Sequence, residues 1–103
     1  MKRAATALVA MTVLQGAPTG DAAAADVAFG EYLSGECVTC HRKDGQDNGI
    51  PSIVGWPPEQ FTAVLLSYKS KDRANLVMQT IAARLTEDEM QALAAYFESL
   101  KAK

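Results

Sequence analysis

Cys37-Val38-Thr39-Cys40-His41 gathers both cysteines and the only histidine of a 103-residue chain into five consecutive positions. The two-residue gap lets both sulfurs leave one turn of backbone, so a disulfide, half of a zinc site and covalent attachment of a haem are all sterically open to Cys37 and Cys40. A disulfide here would close almost no loop and remove little chain entropy, so it would stabilise little. Structural zinc takes four ligands, and beyond Cys37, Cys40 and His41 only a carboxylate is left to complete the set. A thiol–disulfide redox pair belongs in a βαβ setting, for which the strand signals are weak.

His41 decides among these chemistries. In the spacing C-x-x-C-H each thiol adds to one haem vinyl group, and the histidine that follows is held beneath the porphyrin, where its imidazole reaches the iron. Haem attachment is therefore the leading reading, with thiol–disulfide chemistry and zinc behind it.

The flanking sequence supplies the setting. Lys2 and Arg3 precede an apolar run from Ala4 to Leu14, then Gly16, Pro18, Gly20 and the alanines Ala22 to Ala25. This is the pattern of a secretory signal peptide, with Ala23-Ala24-Ala25 as the cleavage signal. We expect residues 1–25 to be the signal peptide and 26–103 the mature domain, a chain of 103 − 25 = 78 residues exported to the periplasm. The apolar run is too short for a bilayer span, which takes roughly 20 residues, and no membrane insertion of the mature chain is expected. One domain of this size builds only a modest side-chain core and usually adds a staple or a cofactor. Removing Lys2, Arg3 and Asp21 from 10 Lys+Arg and 12 Asp+Glu leaves 8 against 11, a formal charge of −3. That balance argues against nucleic-acid binding, which needs a basic stripe.

Helix signals dominate. Asp26 is placed to cap a helix through about Ser34, with Val27, Phe29, Tyr32 and Leu33 partly on one face. RKDGQDNG (42–49) reads as a surface loop and PSIVGWPP (51–58) as non-helical chain. Pro58 and Glu59 suit a first turn, predicting a helix to about Tyr68 with Phe61, Val64, Leu65 and Tyr68 inward. KSKDR (69–73) is a charged connector, and residues 75–84 have mixed helical character. Thr86 and Glu89 form a capping box before Met90, Leu93, Ala94, Phe97 and Leu100 recur at helical spacing. The fold class is all-α.

With His41 on one side of an iron, the redox behaviour turns on the other side. Methionine is the usual partner in electron carriers, because its thioether favours ferrous iron and raises the potential. Met1 and Met11 leave with the leader. Met90 is the N4 residue of the last helix and pairs with Leu85 as a hydrophobic staple. Met78 follows His41 by 37 residues, enough chain to wrap a haem and present sulfur from its opposite face. An ordinary core role for Met78, and an iron left five-coordinate for ligand sensing or peroxidase-like chemistry, stay open on the residues alone.

Over nearly all of residues 26–103 the sequence resembles the class I cytochromes c. PSIVG (51–55) is similar to the family's P-x-L-x-G signature. The run MQTIAARLTEDEMQALAAYF (78–97) is similar to each half of the dihaem bacterial cytochromes c and to the cytochrome subunit of flavocytochrome c sulfide dehydrogenases. The resemblance implies crossing N- and C-terminal helices, with short helices and loops wrapping one haem. It implies one haem c, covalent through Cys37 and Cys40, whose iron (Fe) is held by His41 and Met78. It assigns to the Pro51 carbonyl the His41 Nδ1–H, places Gly30 and Leu33 against Leu93 and Tyr96 at the crossing, and lines the crevice with Pro51, Ile53, Val64 and Leu65. Trp56, Tyr68, Lys69 and Arg73 are the donors near the crevice-forming segments for the propionates, and the plainer reading of them as core aromatics and a solvated connector stays open on the residues alone. The single C-x-x-C-H and the short loop from His41 to Pro51 depart from the dihaem pattern.

The implied function is a periplasmic one-electron carrier with redox-protein donor and acceptor, not itself catalytic. Its alternative is an electron-relay subunit docked to a dehydrogenase such as a sulfur- or sulfide-oxidising flavoprotein, and a remoter one a thiol–disulfide oxidoreductase using Cys37 and Cys40.

Overall fold

The structure, a computed structural model, describes residues 3–10 and 19–101, with side chains of the first helix described from Asp26 onward. Its elements are α1 (Thr19–Leu33), a 3-10 turn (Ser34–Glu36), α2 (Pro58–Lys69), α3 (Leu76–Ala83) and α4 (Glu87–Ser99), with no strand among the described residues. No helix of the described residues is long and apolar enough to cross a membrane.

Local sequence explains most of the boundaries. Pro58 starts α2 where its missing N–H costs nothing, Glu59 sits in the positive first turn, and Phe61 and Leu65 bury one face. In α3, which the mixed pattern of 75–84 left unplaced, the Asn75 side chain accepts the Met78 N–H at 3.0 Å and supplies the N-cap. The capping box of α4 is complete. Glu89 N–H donates to Thr86 Oγ1 at 3.2 Å, and Thr86 N–H donates to Glu89 Oε1 at 2.9 Å. One boundary differs from expectation. Helix α1 begins at Thr19, not at a cap on Asp26, because Ala22 to Ala25 are strong helix formers and carry the helix through that position.

Helix α1 packs chiefly on α4, and α2 packs on both α3 and α4. Gly30 sets the first crossing. A Cβ at this buried position would lie 2.1 Å from the Ala92 carbonyl oxygen and 2.7 Å from Tyr96 Cβ, so the helices approach more closely than any side chain permits. Of the expected partners, Gly30 meets Tyr96, with Ala92 beside it, and Leu93 is buried in the core cluster against which Leu33 packs and also borders the cavity described below. From α4 an aromatic chain extends outward. Tyr96 meets Phe97 edge-on at 5.2 Å between centroids, Phe97 stacks on Phe61 at 5.7 Å, and Phe61 meets Trp56 edge-on at 6.3 Å. Gly55 anchors the proline-rich loop to this core. Its φ of +80° is open to glycine without strain, and its N–H donates to the Phe97 carbonyl at 3.0 Å.

Gly30→Ala drives a methyl into backbone that has no side chain to move aside. We expect a loss of about 1–3 kcal/mol, the usual range for overpacking, read as a lower denaturation midpoint; an unchanged midpoint would contradict the crossing geometry.

Candidate functional site

The turn that carries the cysteines grows out of α1. Buried Ser34 donates its hydroxyl to the Glu31 carbonyl at 2.6 Å, and its own carbonyl accepts the N–H groups of Cys37 at 2.9 Å and Val38 at 3.0 Å. The Cys37 carbonyl then accepts from Cys40 N–H at 3.2 Å and His41 N–H at 2.8 Å. This winding puts both thiols and the imidazole on one short segment, with Cys37 half-buried, Cys40 exposed and the two cysteines unpaired. His41 Nδ1 lies 2.7 Å from the Pro51 carbonyl oxygen. A carbonyl only accepts, so Nδ1 carries a proton and the ring is held by the loop after it, with Nε2 the ring nitrogen not engaged by Pro51.

Cys37, Cys40, His41 and Pro51 all border one cavity of about 610 Å³, within the range of small-molecule sites. Ile53, Val64 and Leu65 contribute apolar wall, as expected, together with Phe61, Ile81, Leu85 and Leu93. Met78 reaches the same cavity from the first turn of α3. Met90 does not. It is fully buried in the helix core, with Leu85 packed against the same cluster as the staple pairing requires. The two methionines of residues 26–103 are thus separated by position: one borders the cavity and one fills the core.

The donors divide as well. Trp56, Tyr68 and Arg73 border the cavity, and the Arg73 guanidinium lies 5.6 Å from the Tyr68 ring centroid. Lys69 does not join them, because its ammonium donates to the Leu85 carbonyl at the α3–α4 corner. Glu36 pairs with Arg84 at 3.1 Å, linking the cysteine turn to the end of α3.

These environments test the rival chemistries. Burial, reinforced by the charge of Glu36, pushes the Cys37 thiol up to about 11. A disulfide-exchange nucleophile needs the opposite shift, toward thiolate at neutral pH. Among the described residues no group of three or more histidine, cysteine or acidic side chains converges as a metal cluster, so zinc lacks its donors. The groups present suit a haem instead: paired thiols, an imidazole held through Nδ1, apolar side chains and a thioether, all bordering one cavity.

Sequence reasoning missed Asn75, whose cap orients the first turn of α3. Asparagine before an apolar run is a cap signal, but Met78 at N3 gives no reciprocal Glu or Gln to complete a box.

The fold and the cavity are those of a small all-helical electron carrier built around one haem. The cytochrome c family model matches residues 27–101, and the chain belongs to the cytochrome c family. It is a monohaem class I c-type cytochrome carrying covalent haem c, and it transfers electrons. It is 39% identical over 75 residues to the cytochrome subunit of sulfide dehydrogenase of Chlorobaculum tepidum, covering 72% of this chain and 68% of that one. It is 33% identical over 91 residues to cytochrome c-554(547) of Halothiobacillus neapolitanus, covering 76% of this chain and all of that one. It is 36% identical over 69 residues to the thiosulfate dehydrogenase electron acceptor of Stutzerimonas stutzeri, covering 64% of this chain but only 32% of that longer protein.

Asn75→Ala removes the cap beneath Met78. We expect a cost of about 1 kcal/mol by chemical denaturation, with Asn75→Ser keeping most of the stability; equal losses in both variants would show that the side-chain cap contributes nothing.

Proposed function

We propose that this chain is a periplasmic one-electron carrier whose haem is held through Cys37 and Cys40 and ligated axially by His41 and Met78, and that it performs no catalysis of its own. The observation that carries this reading is the bond from His41 Nδ1 to the Pro51 carbonyl. It leaves Nε2 as the free donor on a cavity that Met78 borders from another element.

Haem c supplies a one-electron ferric/ferrous couple, and a thioether ligand with apolar burial raises its potential. The protein's part is to keep both donors in place in either oxidation state. His41 is fixed by Pro51, and Met78 by the Asn75 cap on its N–H. Rigid donors and dry walls keep reorganisation small, which makes electron transfer fast. Trp56, Tyr68 and Arg73 are the donors placed to meet the propionates, with Lys69 engaged elsewhere.

Export follows from the leader, with cleavage before Asp26. The named roles of the relatives, a subunit of sulfide dehydrogenase and an acceptor for thiosulfate dehydrogenase, favour a sulfur-oxidising dehydrogenase as electron donor, either free in solution or as a permanent flavoprotein neighbour. A native mass distinguishes these, since a docked subunit copurifies with a larger chain.

Met78→Ala should lose the sulfur-to-iron absorption band and lower the reduction potential, while Met90→Leu should keep both. An unchanged spectrum in Met78→Ala, or loss of the band in Met90→Leu, would reverse the assignment.

A further inference from the structure

We propose that Gln79 is a positioning residue for the Met78 ligand: its side-chain amide ties the first turns of α3 to the connector from α2, and so sets how readily the thioether leaves the iron. The proposal rests on the assignment of Met78 above and adds what keeps that ligand in place.

Apolar packing cannot do this. Helix α3 has eight residues, too few to be stable alone, and Ala82 is the one among them that is buried. At the end that carries Met78, Leu76 is 80% exposed and Val77 66% exposed. The Asn75 cap holds the Met78 N–H. Asn75, however, stands on the same side of the connector as Met78, so cap and ligand would move together. A further contact must refer this turn to the helices that wall the cavity.

Gln79 supplies that contact. Its Nε2 donates to the Arg73 carbonyl at 3.0 Å, and since a carbonyl only accepts, the amide nitrogen is the end that meets it. The Arg73 N–H donates in turn to the carbonyl of Ser67 on α2 at 3.1 Å, and the Gln79 N–H donates to the Asn75 carbonyl at 2.8 Å. A continuous path therefore runs from α2, through both polar backbone groups of Arg73, to the residue next to Met78. Among the described residues no other hydrogen bond joins α3 to residues 70–74. A glutamine that merely favoured helix formation would not reach back six residues to another segment. Arg73, Asn75 and Met78 border the cavity and Gln79 does not, so Gln79 acts through them and not on the cofactor itself. Because the backbone of Arg73 is held on both sides while its guanidinium lies over the Tyr68 ring, one clamp aligns a cation and a thioether on the same cavity.

Displacement of Met78 by imidazole in the ferric, haem-loaded protein tests this. At saturating imidazole, the loss of the sulfur-to-iron absorption band proceeds at the rate at which Met78 leaves the iron. Gln79→Ala removes the clamp, and Gln79→Glu keeps its size but carries a carboxylate that cannot donate to a carbonyl. Both should release Met78 about threefold to tenfold faster than the parent, the worth of one hydrogen bond. Thr80→Ala is the control, since it removes a side-chain bond of the same helix, from Thr80 Oγ1 to the Leu76 carbonyl at 2.8 Å, that does not reach the connector. It should release Met78 at the parent rate. Both Gln79 variants should retain their haem and unfold at a denaturant midpoint close to that of Thr80→Ala. A parent rate in either Gln79 variant, or equal acceleration by Thr80→Ala, would overturn the positioning role and leave the ligand assignment intact. A haem-loaded parent with no sulfur-to-iron band would overturn the assignment of Met78 beneath it instead.

Discussion

The bond from the His41 imidazole to the Pro51 carbonyl, 2.7 Å long, closes a circuit that runs through the whole domain. From Pro51 the chain reaches Gly55, whose N–H is bonded to Phe97 on α4. On α4 the next link is Ala92 and Tyr96, against which Gly30 of α1 is pressed without room for a methyl group. Helix α1 then runs into Ser34, whose carbonyl winds the turn bearing Cys37 and leads back to His41. Apart from the His41 ring itself, each link is a backbone contact or a close helix approach, so the circuit depends on no other side chain. The ring proposed as an iron ligand is thereby referred to the same rigid core that sets the helix crossing.

The facing donor has a separate support. Met78 stands on a helix of only eight residues, too short to be stable alone. Its position is set by the Asn75 cap at one end, by buried Ala82 and by the Lys69 contact to Leu85 at the other. The Glu36–Arg84 pair spans from this helix to the cysteine turn, but both partners are mostly exposed, so it contributes little beyond alignment. Two sides supported independently, with apolar wall between them, suit a cofactor that fills the cavity and completes the core of a small domain.

The sequence made the chemistry legible before the fold. C-x-x-C-H confines three unusual side chains to one turn, and no packing requirement produces that spacing by itself. The starts of α2 and α4 are equally readable, because Pro58 with Glu59 in a first turn and Thr86 with Glu89 in a capping box act through local backbone geometry. Met90 was separable from Met78 through its place in the staple, and its full burial agrees. Less visible were features set by tertiary contact. The start of α1 was misplaced because alanine propensity continues the helix beyond a plausible cap. Helix α3 is hard to read because its apolar residues serve three ends at once: Leu76 faces solvent, Val77, Met78 and Ile81 border the cavity, and Ala82 is buried in the core. No single stripe emerges from such a pattern.

The central claim is that Cys37 and Cys40 are spent on a covalently held haem and on nothing else. Intact mass measured on the purified, fully denatured protein is the most direct check. The account predicts the chain plus one haem, retained after unfolding because both sulfurs are bonded to it. A mass equal to the bare chain, or to the bare chain less two hydrogens as a Cys37–Cys40 disulfide would give, would contradict it.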